Sequence, residues 1–236
     1  LNAIGESLKF DGSGDYVDLG DQLDITGDFT ISAYINIENS ETDYPIYAKS
    51  DETYSSGSLP KGYMFYINSN GWLHFCYRLS NGGSWVAIYY DMTMNYSQWY
   101  NVAVTRSNND IQLFIDGESV ASGTFSGDIT FPDDVNTYIA RWWNGGAGYG
   151  SNYNGLIDEV GIWNDALTAA EVTALYNSGV ALDALSNSGD YASSDSLKGY
   201  WKMEEGTGTT LTDLSGNGNN GTISGATWAT GKKSSS

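Results

Sequence analysis

The clearest signal of the fold is the sequence GLIDEVGIW at residues 155–163. Side chains alternate between the two faces of a β-strand, so one face is predicted to carry Leu156, Asp158, Val160 and Ile162. The opposite face is predicted to carry Ile157, Glu159, Gly161 and Trp163. Because both faces hold large apolar side chains, we expect a strand that is buried on both sides in the middle of a packed sheet.

Asp158 is an anomaly in such a strand. A carboxylate that is buried without a partner is costly, and the chain has few basic residues to offer. We therefore expect a bound cation or a set of backbone N–H donors to compensate this charge.

The composition is strongly acidic. The 236 residues include 10 Lys and Arg against 29 Asp and Glu, a formal net charge of -19. This balance argues against nucleic acid and anionic membrane surfaces as partners, because both attract basic proteins. No run of 18 apolar residues exists, so no membrane insertion is expected. The length suits one large all-β domain, and the acidity fits a salt-rich extracellular or cell-surface location.

Cys76 and His74 are the only cysteine and the only histidine. An intramolecular disulfide and a Cys/His zinc site are therefore excluded, and a Ser-His-Asp triad would have to use His74. The two residues alternate in WLHFCY at residues 72–77, which predicts a strand. The simplest interpretation is that they are ordinary residues of a sheet face.

Many short strand patterns follow each other along the chain. Residues 29–37 alternate cleanly, residues 63–68 and 72–78 predict a hairpin, and Asp116-Gly117 predicts a type I′ turn. One helix is signalled after Thr168, because Glu171 three residues later completes a capping box and Gly179 supplies a stop. The predicted fold is an antiparallel β-sandwich with one short helix at one end.

Four motifs recur in a recognisable order: FDG…DYV at residues 10–17, DFTISAYI at 28–35, WYNVAV at 99–104 and GLIDEV at 155–160. Together they resemble the laminin-G-like jelly rolls of the concanavalin A-like lectin/glucanase superfamily. The resemblance covers nearly the whole chain and implies an all-β jelly-roll sandwich.

The order of the pieces departs from that family. A segment like residues 199–228 normally precedes the strand at residues 8–12, but here it comes last. We expect a sandwich body at residues 1–179, a linker at 180–196 and a C-terminal strand segment at 197–236. The segment folds back into its own sandwich, begins a following repeat, or completes a neighbour's sheet. Its candidate assembly residues are Tyr200, Trp201, Met203, Ile223 and Trp228.

The enzyme hypothesis depends on paired carboxylates. Glucanases of this superfamily place them on alternate positions of one strand, so that they point into one cleft. Asp158 and Glu159 are adjacent and are predicted to face opposite sides, as are Glu204 and Glu205. No Glu-x-Asp-x-x-Glu run exists. We expect a chain without catalytic activity.

The family resemblance implies a structural calcium ion. It would bring Asp158 to the turn containing Asp11 and Gly14, where carboxylate and carbonyl oxygens suit calcium. Asp213 and Asn217 form a second candidate. In the alternative, these aspartates accept backbone N–H bonds and hold no ion.

An aromatic, glycine-rich loop at residues 141–153 is the candidate ligand site. Sugar rings stack on exposed aromatic rings, and Asn side chains bind hydroxyl groups. The predicted ligand-binding residues are Trp142, Trp143, Asn144, Tyr149 and Tyr153. Tyr44, Tyr47 and Tyr54 are predicted to add a rim to this site. Alternatively, these rings cover the sandwich edge or form a protein-binding hot spot.

These observations favour a non-catalytic recognition or adhesion module that binds a glycan or a surface protein and is stabilised by calcium. The alternative is a structural subunit of an extracellular fibre or virion-like assembly, joined to copies of itself by exchange of the C-terminal strands.

Overall fold

The structure is a computed structural model that describes residues 3–39, 42–50, 61–78, 85–131, 134–143, 149–150 and 153–234. It confirms the predicted fold class, because two antiparallel sheets face each other and the described residues contain one short α-helix. The hydrophobic core lies between the sheets.

Sheet A contains eight strands. Its spatial order is β10 (Glu118–Thr124), β9 (Asp110–Ile115), β8 (Trp99–Ser107), β3 (Phe29–Ile37), β14 (Asn154–Trp163), β1 (Ala3–Asp11) and β18 (Thr227–Ser234). The eighth strand, β15 (Leu197–Trp201), also pairs with β14. The central strand β14 therefore has β3 on one side and shares its other side between β1 and β15.

Sheet B also contains eight strands. Its order is β16 (Thr210–Leu211), β17 (Gly221–Ser224), β2 (Tyr16–Asp18), β11 (Tyr138–Ile139), β4 (Tyr44–Ser50), β5 (Gly62–Ile67), β6 (Trp72–Arg78) and β7 (Trp85–Asp91). A separate ribbon is formed by β12 (Trp142–Trp143) and β13 (Tyr149–Gly150).

Aromatic rings bridge the two sheets. Phe29 of β3 stacks on Tyr63 of β5 at a centroid distance of 5.9 Å and approaches Phe75 of β6 at 5.7 Å. Such ring pairs add about 0.5–1.5 kcal/mol beyond the area that they bury. The inward positions of β5 and β6 thus form the core, and their alternate positions must face outward.

The capping box predicted for the helix is confirmed. In α1 (Ala169–Tyr176) the side chain of Thr168 accepts the Glu171 N–H, and the Glu171 carboxylate accepts the Thr168 N–H. The helix ends at Asn177, in the left-handed conformation, shortly before the predicted stop at Gly179. It packs on the outer face of sheet A, in a second apolar cluster with Trp163, and does not plug the end of the sandwich.

The central strand is buried on both sides, as its sequence predicts, but its alternation is broken. Asp158 lies opposite Tyr34 and Gly161 lies opposite Ser32, so β14 contains one extra residue there. This is a β-bulge, and Glu159 has a φ of 50° within it. The side chains of Asp158 and Glu159 both point away from the core, whereas Val160 points into it. The predicted shared face of Asp158 and Val160 is therefore wrong.

The C-terminal segment occupies places in both sheets of its own chain. Strand β15 pairs with β14, β18 pairs with β1, and β17 pairs with β2. Residues 180–196 were predicted as a plain linker, yet Ala184 and Tyr191 are buried against the outer face of sheet A. Strand exchange with a neighbouring chain stays a prediction.

Across the described ranges, no helix is long and apolar enough to cross a membrane.

Candidate functional site

Aromatic side chains are concentrated on the outer face of sheet B. The strand register places Tyr66 of β5 beside His74 of β6, and His74 beside Tyr89 of β7. Their neighbours Phe65, Phe75 and Ile88 belong to the core, so these three rings point away from it. Alternation along three paired strands therefore produces a row of rings on one surface.

The rings form a continuous row. His74 stacks on Tyr66 at a centroid distance of 5.0 Å and on Tyr89 at 5.1 Å, with interplanar angles of 27° and 22°. Trp72 stacks on Tyr89 at 5.5 Å and 16°, and Trp142 meets the other end at Tyr66, 4.8 Å away. We name this surface the aromatic platform: Trp142, Tyr66, His74, Tyr89 and Trp72.

The platform is accessible from solvent. Tyr89 is 54% exposed, Tyr66, Trp72 and His74 are partly exposed, and Trp142 is 8% exposed at the end of the row. A row of partly exposed aromatic rings gives a ligand an apolar surface, and polar groups at the margins can orient it.

A hydrogen-bond network fixes His74. The Asn68 side-chain oxygen accepts the N–H groups of Asn70 and Trp72, so its Nδ2 must be the group that lies 3.0 Å from His74 Nε2. His74 Nε2 is therefore the acceptor and Nδ1 carries the proton. Burial lowers the pKa of His74, opposed by the Asp43 carboxylate, and this keeps the ring neutral at pH 7.

The predicted aromatic loop contributes less than its sequence suggests. Trp142 ends the platform, and the backbones of Trp143 and Tyr149 pair in the ribbon of β12 and β13. Asn144 lies outside the described residues. Tyr153 was predicted to bind ligand, but it is fully buried: its hydroxyl donates to the Leu156 carbonyl oxygen at 3.0 Å. Its ring is therefore a core ring.

The predicted tyrosine rim is also wrong where the structure describes it. Tyr44 and Tyr47 are 1% and 0% exposed, because β4 is buried along its whole length. Tyr54 lies outside the described residues. The sequence did contain a signal for the platform in the alternating Trp72 and His74, but nothing in it showed which strands lie beside β6.

The structure separates the predicted calcium ligands Asp158 and Asp11. Asp11 pairs with Asn154, four residues from Asp158 along β14, which corresponds to roughly 13 Å at ~3.3 Å per residue. Calcium ligands lie at about 2.3–2.6 Å from the ion, so one ion cannot bind both carboxylates. Calcium at the turn of Asp11 and Gly14 alone stays a prediction.

Backbone donors satisfy the buried aspartates. Asp158 accepts the Glu159 N–H at 2.9 Å and the Lys232 N–H at 2.8 Å. Asp213 accepts the N–H groups of Tyr200, Ser215 and Asn219. These contacts match the alternative in which the aspartates accept backbone N–H groups. No group of three or more His, Cys, Asp or Glu side chains is arranged for metal binding in the described part of the chain.

The bulge corrects the sequence argument about the carboxylate pair. Asp158 and Glu159 lie on the same side of β14, close enough that the Glu159 carboxylate helps to raise the pKa of Asp158. Burial raises the pKa of Glu159 to about 8, and the pKa of Asp158 also lies well above its ordinary value. The Tyr200 hydroxyl donates to Glu159, and the two acids are 0% and 6% exposed. A substrate cannot reach them.

The predicted assembly residues pack within this chain. Trp201 and Met203 are fully buried in the core, Tyr200 is 2% and Ile223 is 6% exposed, and Trp228 packs against the core edge. Trp201 Nε1 also donates to the Asn219 carbonyl oxygen.

These features define a jelly-roll domain of a known class. Residues 11–173 match the Laminin_G_3 family model of the concanavalin A-like lectin/glucanases superfamily, and the chain belongs to this family. No curated protein sequence matches the chain significantly.

Three solved structures show the same fold. A Bacteroides ovatus protein assigned as carbohydrate-binding has a TM-score of 0.70 and 20% identity over 98% of this chain, and the match spans 61% of that protein. The CBM40 of a Ruminococcus gnavus sialidase, bound to α2,3-sialyllactose, has a TM-score of 0.61 and 16% identity over 74% of this chain and 98% of its own. A heptameric SAP-like pentraxin from Limulus polyphemus has a TM-score of 0.59 and 13% identity over 98% and 97%.

Proposed function

We propose that this domain is a non-catalytic glycan-binding module and that the aromatic platform is its binding surface. The observation that carries the proposal is the row of four stacked rings on the outer face of sheet B, with Trp142 tilted against one end. The C–H faces of sugars pack on such rings without requiring any group of the protein to ionise. Two of the structures with this fold carry carbohydrate-binding names, which supports the same ligand class.

The margins of the platform favour neutral glycans. Asp43 lies close enough to oppose the lowering of the His74 pKa by burial, and Asp91 lies opposite Trp72. His74 is neutral at pH 7, and the whole chain carries a net charge of -19. An anionic sugar would meet repulsion from these carboxylates, whereas hydroxyl groups can donate to them.

The absence of catalysis and the extracellular location belong to the same proposal. The adjacent pair Asp158 and Glu159 is buried beneath Tyr200, away from the platform, so it cannot protonate a bound glycoside. The acidic composition fits a salt-rich medium outside the cell.

The test is isothermal titration of the whole chain with lactose and with 3′-sialyllactose, together with a glycan array. Tyr89→Ala removes the most exposed ring of the platform and leaves the core intact. Its matched control is Tyr96→Ala, because Tyr96 is 46% exposed and is not a platform ring. We expect Tyr89→Ala to weaken binding of neutral glycans at least tenfold and Tyr96→Ala to leave it unchanged. Equal binding by both variants would remove the basis of the proposal.

A further inference from the structure

A second concave site lies where the C-terminal segment meets the sandwich body. The cavity has a volume of about 570 Å³. One wall is the loop of residues 22–28 with Asn164, and the other wall is Lys198, Asn217 and Asn219 of the C-terminal segment. We name it the seam pocket. Ligand pockets are typically ~300–1,000 Å³, so it can hold one or two sugar rings.

The loop wall is held rigidly from beneath by two buried cations. Lys49, with no exposed side-chain surface, contacts the carboxylates of Asp21 and Asp24 at 2.7 and 2.6 Å. Arg106 donates to the carbonyl oxygens of Thr26 and Gly27, at 2.9 Å each. Two buried cations that serve one surface loop fix its shape before any ligand arrives, which reduces the entropy cost of binding.

The opposite wall is equally fixed. The side-chain amides of Asn217 and Asn219 donate to the carbonyl oxygens of Leu197 and Lys198 at 3.0 and 2.7 Å. Asn217 Nδ2 also donates to Ser215 Oγ, so both of its N–H groups are used and its Oδ1 can accept from a ligand. The Asn219 Oδ1 can accept as well. Asp213 holds the turn through three backbone N–H groups.

The chemistry of the pocket selects a ligand with many donors and no negative charge. The carboxylates of Asp24 and Asp28 and the amide oxygens of the asparagines are all acceptors, and Lys198 is the one cation of the described lining. Leu23 and Ile25 add a partly exposed apolar strip between them. A neutral pyranose presents both a ring of O–H donors and an apolar C–H face.

We infer that the seam pocket is a second carbohydrate site, specific for neutral sugars and formed only when the C-terminal segment is docked. It shares no residue with the aromatic platform. A chain with both sites could bind one glycan at two places, and the two weak contacts would then reinforce each other through their high effective concentration.

Gly27 permits a direct test. A Cβ at this position would meet no atom within 4 Å, so Gly27→Trp fills the pocket without a backbone clash. Asn164→Ala removes an exposed lining side chain and serves as a second, milder variant. The control is Leu185→Trp, which adds the same side chain at an exposed position outside the pocket. Thermal melts confirm that each variant is folded.

The experiment is saturation-transfer NMR of the full chain with methyl glucoside, methyl galactoside, N-acetylglucosamine and glucuronate. In a Tyr89→Ala background, we expect a neutral sugar to bind, and we expect Gly27→Trp to reduce its signal at least fivefold, Asn164→Ala less, and Leu185→Trp not at all.

The outcomes separate the two sites. If Tyr89→Ala abolishes all sugar binding, the seam-pocket proposal is wrong and the platform proposal is supported. If Gly27→Trp abolishes binding and Tyr89→Ala does not reduce it, the seam-pocket proposal is supported and the platform proposal is wrong. A preference for glucuronate, or neutral-sugar binding unchanged by Gly27→Trp, overturns the inference.

Discussion

Glu159 makes a sharp prediction about the pH dependence of folding. Its carboxyl group is buried in the β-bulge, accepts the Tyr200 hydroxyl, and has a pKa raised by burial from 4.5 to about 8. The folded state therefore keeps this proton to a higher pH than the unfolded chain does. Between pH 4.5 and about 8 the folded state binds more protons, so the free energy of unfolding must fall as the pH rises.

The size of the effect follows from the pKa difference. Each pH unit within that window costs about 1.4 kcal/mol, so the whole window costs on the order of 5 kcal/mol. The contribution is fully present below pH 4.5 and is lost above pH 8. For a chain of this length, ~5 kcal/mol corresponds to a Tm lower by roughly 10–20 °C. The pKa of Asp158 is raised in the same direction, first by burial and then by Glu159.

The variant Glu159→Gln tests this reasoning. Its amide oxygen can still accept the Tyr200 hydroxyl, but the side chain cannot ionise. Calorimetric Tm values are measured from pH 4.5 to 9 for the wild type, for Glu159→Gln and for the surface control Glu118→Gln. We expect the wild type and the control to lose stability across this range and Glu159→Gln to lose less, because only Asp158 of the buried pair can still ionise in that variant. At pH 8.5 the Gln variant is expected to be the most stable of the three.

Two results would refute the argument. One is a wild-type Tm that stays constant or rises between pH 5 and 8.5. The other is a Glu159→Gln profile that falls as steeply as the wild-type profile, which would assign the pH dependence to other groups.

Two further predictions concern single contacts. Lys49→Met leaves Asp21 and Asp24 without their buried cation. We expect the free energy of unfolding, measured by urea denaturation, to fall by about 1–3 kcal/mol. This value is lower than for a fully buried ion pair because both aspartates are exposed to solvent. The control is Lys9→Met, which breaks the exposed ion pair with Glu38 and should cost below ~1 kcal/mol. Equal losses for the two variants would contradict a larger contribution from the buried lysine. Thr168→Ala removes the helix N-cap and should lower the free energy of unfolding by ~1 kcal/mol in the same assay. Thr168→Ser keeps the hydroxyl group and is the control. Identical losses for the two variants would rule out capping as the cause.

Local chemistry explains what could be predicted from the sequence. Asp116 and Gly117 both have positive φ, as the predicted type I′ turn requires. The predicted capping box between Thr168 and Glu171 also forms. Both features depend on residues within a few positions of each other. The family motifs span the sandwich in order, so the fold class followed from them as well.

The missed features depend on pairing between distant strands. The platform requires Tyr66, His74 and Tyr89 to be neighbours across three strands, and a single sequence does not give their register. The bulge at Glu159 breaks an alternation that looks continuous when the strand is considered alone. Tyr153 follows a glycine-rich loop, but its ring is buried against Phe10 of β1 and Tyr44 of β4, which lie far from it in the sequence.

The bulge and the displaced C-terminal segment are two aspects of one arrangement. On one edge of β14, β1 pairs with the residues before the bulge, and β15 pairs with those after it. The two buried acids lie at this junction: Glu159 binds Tyr200 of β15, and Asp158 binds the Lys232 N–H of β18.

Without the segment, half of that edge would lose its partner strand and the core would lose Trp201. Removing a buried Trp side chain alone costs about 3–5 kcal/mol, a large fraction of the ~5–15 kcal/mol by which a typical domain is stable. We therefore expect residues 1–179 to need a C-terminal segment to remain folded, whichever chain supplies it. A strand-exchanged assembly would use the same contacts as a chain whose C-terminal segment docks on its own sandwich. The contacts therefore favour neither arrangement, and the balance between them would depend on linker geometry and protein concentration.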